Sequence, residues 1–137
     1  MSLSQEIKVH NNYMVVVLNG QFSLAEALAL AQEMLEVGAQ HKVKKGLVDI
    51  RRMTGVPNTI ERFQYALFLA DKGLAQKSPG HPIIRLAYLG YAPTLDPTRF
   101  GEYVANNRGA MVRSFFDESE AWAWLEIDDK PGESPSA

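Results

Sequence analysis

Apolar residues recur two apart at the start of the chain. Ile7 and Val9 alternate with polar neighbours, Asn11-Asn12 tolerates positive φ, and Tyr13 to Leu18 is rich in β-formers. This predicts a hairpin with its first strand at a sheet edge and its second in the centre, closed by Gly20. The period then lengthens. Leu24, Ala27, Leu28, Ala31, Met34 and Leu35 fall three and four apart, placing them on one face of a helix that starts near Leu24 and stops at Gly38. Ser23 and Glu26 have capping-box spacing at its start.

Leu47, Val48 and Ile50 form too continuous an apolar run for a half-exposed strand. A strand, helix and strand in this order predict parallel pairing through a right-handed crossover. The buried strand is expected to give way to a polar loop at Arg51-Arg52-Met53-Thr54-Gly55. Pro57 breaks the chain, and Asn58 with Glu61 forms a second capping box, opening a helix to about Leu74. Its expected core stripe is Ile60, Phe63, Leu67, Ala70 and Leu74. Tyr65, Phe68 and Leu69 fall elsewhere on the wheel, an apolar surplus that makes them the candidate interface.

Ser78-Pro79-Gly80-His81-Pro82 is turn chemistry, and Ile83 to Leu89 reads as a central strand closed by Gly90. Asp96-Pro97 predicts a helix start with a short stripe of Phe100, Tyr103 and Val104, ended by Asn107-Arg108-Gly109. Met111 to Phe116 is the last strand. Asp117 and Glu120 have capping-box spacing before a final helix carrying Ala121, Trp122, Trp124 and Leu125, with one indole partly exposed. The order is β-β-α-β-α-β-α-β-α. It predicts an α/β fold, a mixed five-stranded sheet with helices packed on one or both faces. One domain spans 1–127, and the proline-, glycine- and serine-rich tail 128–137 is expected to be flexible.

Composition narrows the function. At 46% hydrophobic and 22% charged residues, 137 residues suffice for one globular core. A net charge of −2 leaves no basic footprint for nucleic acid. The absence of cysteine excludes thiolate metal sites and cysteine nucleophiles from this chain. The N-terminus lacks the pattern of a signal peptide and no apolar run reaches membrane-span length, so a cytoplasmic location is expected.

Chemistry-bearing residues gather at one place. Asp49 is a carboxylate within an apolar strand, costly to bury unless paired or hydrogen-bonded. Arg51, Arg52 and Arg62 lie near the amino end of the following helix, where guanidinium forks and free N–H groups can hold an anion. Thr54 and Thr59 supply hydroxyls in the same region. His10, His41 and His81 sit in separate turns, without metal-ligand spacing. Neither a nucleophile elbow nor a phosphate-binding glycine loop is present, so the expectation is a protein without enzymatic activity, cofactor or metal.

The chain resembles the SpoIIAA-like family, small bacterial proteins with the STAS fold of anti-sigma-factor antagonists. The resemblance runs from about Ile7 to Leu125. It rests on Leu47-Val48-Asp49-Ile50-Arg51, on Glu61-Arg62-Phe63, and on the closing run Val104-Ala105-Asn106-Asn107-Arg108-Gly109, Val112-Arg113-Ser114-Phe115-Phe116-Asp117 and Glu120-Ala121-Trp122-Ala123-Trp124-Leu125. It implies a STAS-like single domain acting through a protein partner or self-association, often with a kinase and sigma-regulator switch. Some relatives bind nucleotides or lipid-like ligands. In the antagonists the switch is a serine in an Asp-Ser-x-Gly loop, whereas this chain reads Arg52-Met53-Thr54-Gly55, leaving Thr54 or Thr59 as the acceptor to consider. The expected function is a regulatory, protein-binding module docking through the loop after the third strand and the following helix. The alternative is a carrier of a small acidic or lipid-like ligand, with Phe63, Leu67 and Phe100 bordering an apolar pocket and arginine holding the headgroup.

Overall fold

The structure, a computed structural model, describes residues 2–76 and 83–127. The Ser78–Pro82 turn, with His81, and the tail 128–137 lie outside the described residues. In chain order the elements are β1 (Ser4–Val9), β2 (Tyr13–Gln21), α1 (Leu24–Gln40), β3 (Lys45–Thr54), α2 (Thr59–Ala75), β4 (Arg85–Leu89), α3 (Phe100–Asn107), β5 (Met111–Phe115) and α4 (Glu118–Leu125). The five strands form one sheet in the order β1-β2-β3-β4-β5, with β1 antiparallel to β2 and the remaining pairs parallel. The predicted α/β order and mixed sheet are those observed.

This strand order explains where the helices lie. Each crossover steps to the next strand in the same direction, and right-handed connections then put their helices on one face. Val16, Val48, Ile50 and Leu86 of that face share a core with Ala31 and Met34 of α1, Ala66 and Leu69 of α2, and Ala105 of α3. Helix α4 follows the last strand and crosses to none. It covers the opposite face, where Ala121, Trp122 and Leu125 pack with Tyr13, Leu47, Ala87, Leu89 and Phe115.

Several local readings need correction. Gly38 does not stop α1; the helix continues to Gln40, and a side chain at Gly38 would press on Met14 and Ile84. Gly20 does not close β2 either, but sits inside it at φ 117°, paired with Met53. Ser23 accepts a bond from the Glu26 N–H at 3.5 Å, but the Glu26 carboxylate accepts instead from the Leu3 N–H, so this capping box is not reciprocal. Asp96 does organise the start of α3, accepting from the Thr98 and Phe100 N–H groups, yet the regular helix begins only at Phe100.

Helix α2 departs furthest from its expected orientation. Its buried residues are Ala66, Leu69 and Ala70, while Ile60 is 68% and Phe63 40% exposed. Helix α2 packs against both α1 and α3, and small side chains on its inner face permit that double contact. The predicted stripe of Ile60, Phe63, Leu67, Ala70 and Leu74 has equally good helical spacing, but most of it points outward or lies half-buried.

Candidate functional site

The junction of β3 and α2 is built on a bulge. Val17 pairs with Asp49 and Asn19 with Arg52, so Leu18 alone opposes Ile50 and Arg51. Strand β3 therefore runs on through the charged residues to Thr54 rather than ending before them, carried by the β2 extension Asn19–Gln21. The extra residue also breaks the alternation of faces. Consecutive Arg51 and Arg52 consequently line the same polar groove, with Asp49, Asn19 and Tyr91, on the sheet face beside α4.

Arg51 grips Asp49 with both ends of its fork. Nε donates to Oδ1 at 3.0 Å and Nη2 to Oδ2 at 2.8 Å, while the Arg51 backbone N–H also donates to Oδ1. The same Nη2 lies 3.1 Å from Glu118 Oε1, fastening β3 to the first turn of α4. Burial pushes the Asp49 carboxyl up, but hydrogen bonding to Arg51 outweighs this and leaves it below the ordinary value. A carboxyl depressed in the folded state stabilises above its unfolded pKa of about 3.9 and loses that contribution as pH falls through the folded value. Asp49→Asn should therefore lower stability by about 2 kcal/mol at neutral pH. In urea titrations across pH, the gap from the native chain should close below about pH 4.

On the other side of the sheet, the loop at 55–58 is fastened at several points. Asn58 and Glu61 form the predicted reciprocal capping box, at 2.8 and 2.9 Å. Thr94 Oγ1 donates to the Gly55 carbonyl at 2.7 Å. Arg62 donates from Nε to the Pro57 carbonyl, from Nη1 to Thr94 and from Nη2 to Pro93, at 3.0, 3.3 and 2.7 Å. Its guanidinium thus joins the start of α2 to the loop after β4. Arg51 and Arg62 do not converge on one anion site; each is engaged on its own side of the sheet. Thr54 donates to the Gly20 carbonyl at 3.4 Å, whereas Thr59 is exposed as the first residue of α2.

The expected interface of Tyr65, Phe68 and Leu69 is not a surface patch. Leu69 is buried, Phe68 is half-buried against the core, and the Tyr65 hydroxyl lies 2.6 Å from that of Tyr88 beneath α2. Around the fastened loop the exposed apolar residues are instead Val56 in the loop and Ile60 and Phe63 on the first half of α2, with Phe63 leaning on Phe100 of α3 at 6.4 Å between ring centroids; Leu74 is exposed at the far end of the helix. Tyr103, on α3, is also exposed. Sequence spacing had assigned Ile60 and Phe63 inward.

Between the sheet and helices α2 and α3 lies a cavity of about 130 Å³. Leu18, Ile50, Leu69, Tyr65 and Tyr88 form much of its wall, joined by Leu95 and Glu102, which no sequence motif marks, and by Ser114 of the closing run. Phe63, Leu67 and Phe100 do not line it. Among the described residues no group of histidine and carboxylate side chains is arranged to hold a metal ion, and no helix is long and apolar enough to cross a membrane.

Compared with solved structures, the chain is similar over 92% of its length to an anti-sigma factor antagonist from Mycobacterium paratuberculosis. The match covers 96% of that chain at 10% identity, with a TM-score of 0.59. This is a SpoIIAA-like fold. A protein from Shewanella loihica described as having a SpoIIAA-like fold, and as uncharacterised, matches over 90% of this chain and 93% of its own, at 20% identity and a TM-score of 0.51. No protein-family model and no curated protein sequence matches the chain. In this SpoIIAA-like fold the fastened loop and the outer face of α2 bring Val56, Ile60 and Phe63 to one end of the molecule.

Proposed function

We propose that this chain is a non-enzymatic regulatory module that docks a protein partner through the loop after β3 and the outward face of the first half of α2. The observation that carries the reading is the exposure of Val56, Ile60 and Phe63 on a segment otherwise pinned by a capping box, a threonine and an arginine fork. A preorganised apolar surface loses little freedom on binding, so its burial translates into affinity. The Mycobacterium neighbour is an anti-sigma factor antagonist, a protein that acts on a regulatory protein, and this supports a partner of that kind. The carrier reading has less support, because the apolar pocket, at about 130 Å³, is below the roughly 300–1,000 Å³ of sites that bury drug-sized ligands, and the larger groove of about 630 Å³ beside Arg51 and Arg52 is mainly polar.

A photo-crosslinking residue at position 60 should capture a discrete protein in the source cell, while one at exposed Gln32 on α1 should not. Ile60→Asp with Phe63→Asp should weaken binding of the captured partner by roughly 30-fold or more, with the thermal transition of the domain retained. Equal crosslinking at both positions, or undiminished binding by the folded double variant, would remove the proposed surface. A crosslink to a second copy of the chain would assign it to self-association.

A further inference from the structure

The cavity beneath α2 has features that the docking surface does not use. Each phenol carries one O–H donor, and the 2.6 Å contact between Tyr65 and Tyr88 consumes one of the two. The other proton remains for an acceptor, inside a wall otherwise dominated by apolar side chains. Burial raises the Tyr65 hydroxyl to about 12 and that of Tyr88 well above its ordinary value, so both stay protonated and able to donate at neutral pH. The space is the right order for one ring, since a cavity of roughly 150 Å³ holds benzene.

Charge around the cavity selects against an acid. Glu61, Asp96 and Glu102 line it against Arg62 and Arg99, and the fork of Arg62 is engaged by three carbonyls. A carboxylate brought into this half-open pocket would lose part of its hydration while facing more acids than bases. A neutral acceptor loses far less and still takes the tyrosine proton.

We propose that this cavity binds a small neutral carbonyl compound of about one ring in size, its oxygen accepting a hydrogen bond from the Tyr65–Tyr88 hydroxyl pair. The exposed docking side chains Ile60 and Phe63 take no part in it, although Pro57, Glu61 and Arg62 of the same segment form part of its wall.

The test compares cyclopentanone with methylenecyclopentane, which share a ring and differ in C=O against C=CH2, by amide chemical-shift titration of the whole chain. Cyclopentanone should bind saturably, with shifts centred on Ala66, Leu69 and Tyr88, and roughly fivefold tighter than the hydrocarbon. Tyr65→Phe or Tyr88→Phe alone should keep the preference, because either hydroxyl can donate once freed from its partner. The double phenylalanine variant should lose the preference while still admitting both probes. Absence of saturable shifts, equal affinity for the two probes in the native chain, or a preference that survives in the double variant would each overturn the proposal. If the double variant does not fold, the contrast between probes in the native chain decides, and none of these outcomes bears on partner crosslinking at position 60.

Discussion

Arg62→Ala is expected to lower the free energy of unfolding by about 3 kcal/mol, measured by urea denaturation. Three donors of one guanidinium engage the carbonyls of Pro57, Pro93 and Thr94, and alanine would leave all three acceptors to find other partners. Hydrogen bonds from charged donors contribute more than neutral ones, but the three share a single side chain and are not additive. Arg62→Lys should recover only a minor part, because one ammonium cannot reproduce a fork that spans two loops. Hydrogen exchange should accelerate at 55–58 and 92–95 in the alanine variant, with protection in the middle of β3 and β4 retained. Partner binding should weaken as well, since Val56 and Ile60 would lose their fixed placement.

A larger loss, about 4 kcal/mol, is expected for Trp122→Ala. Helix α4 has eight residues, too few to be stable without tertiary packing. It is held by Ala121, Trp122 and Leu125, all buried against the second face of the sheet. The indole meets Tyr13 edge-on at 5.8 Å between ring centroids, and its Nε1 donates to Glu118 Oε2 at 3.1 Å. Removing the ring opens a cavity and frees Glu118, which also faces Arg51. Thermal unfolding should reveal the loss, with Trp122→Phe intermediate because it keeps most of the apolar surface but not the donor.

What could be read from the sequence was local. Asn58 and Glu61 lie three residues apart and form their reciprocal cap, whereas the same spacing at Ser23 and Glu26 does not, because Leu3 draws the Glu26 carboxylate away. The order of elements followed from changes in hydrophobic period, but whether the helices cover one face or both depends on the strand order, which only the folded sheet reveals. The inner face of α2 was not legible, because Ile60-Phe63-Leu67 and Arg62-Ala66-Leu69 both have helical spacing and the choice depends on α1 and α3. Hydrophobicity favours the larger residues for the core, whereas close packing selected alanines. Arg62 was visible as a charge near a helix start, but its acceptors Pro93 and Thr94 are distant in sequence. The Tyr65–Tyr88 pair, 23 residues apart, was hidden for the same reason.

The strand order has a consequence for how the molecule assembles. Every strand pairs with the one that precedes it in the chain, so the sheet can grow from one edge to the other without waiting for a distant segment. Such a layout keeps contact order low for a largely parallel sheet, and a chain emerging during synthesis can add its units in sequence. The proposed docking end does not share that early completion. Its loop is capped locally by Asn58 and Glu61, but it is tied to the rest of the fold only when Pro93 and Thr94 reach Arg62 and Gly55, after β4 has joined. During synthesis, the partner-facing surface would acquire its final shape later than the hairpin and first crossover on which it rests.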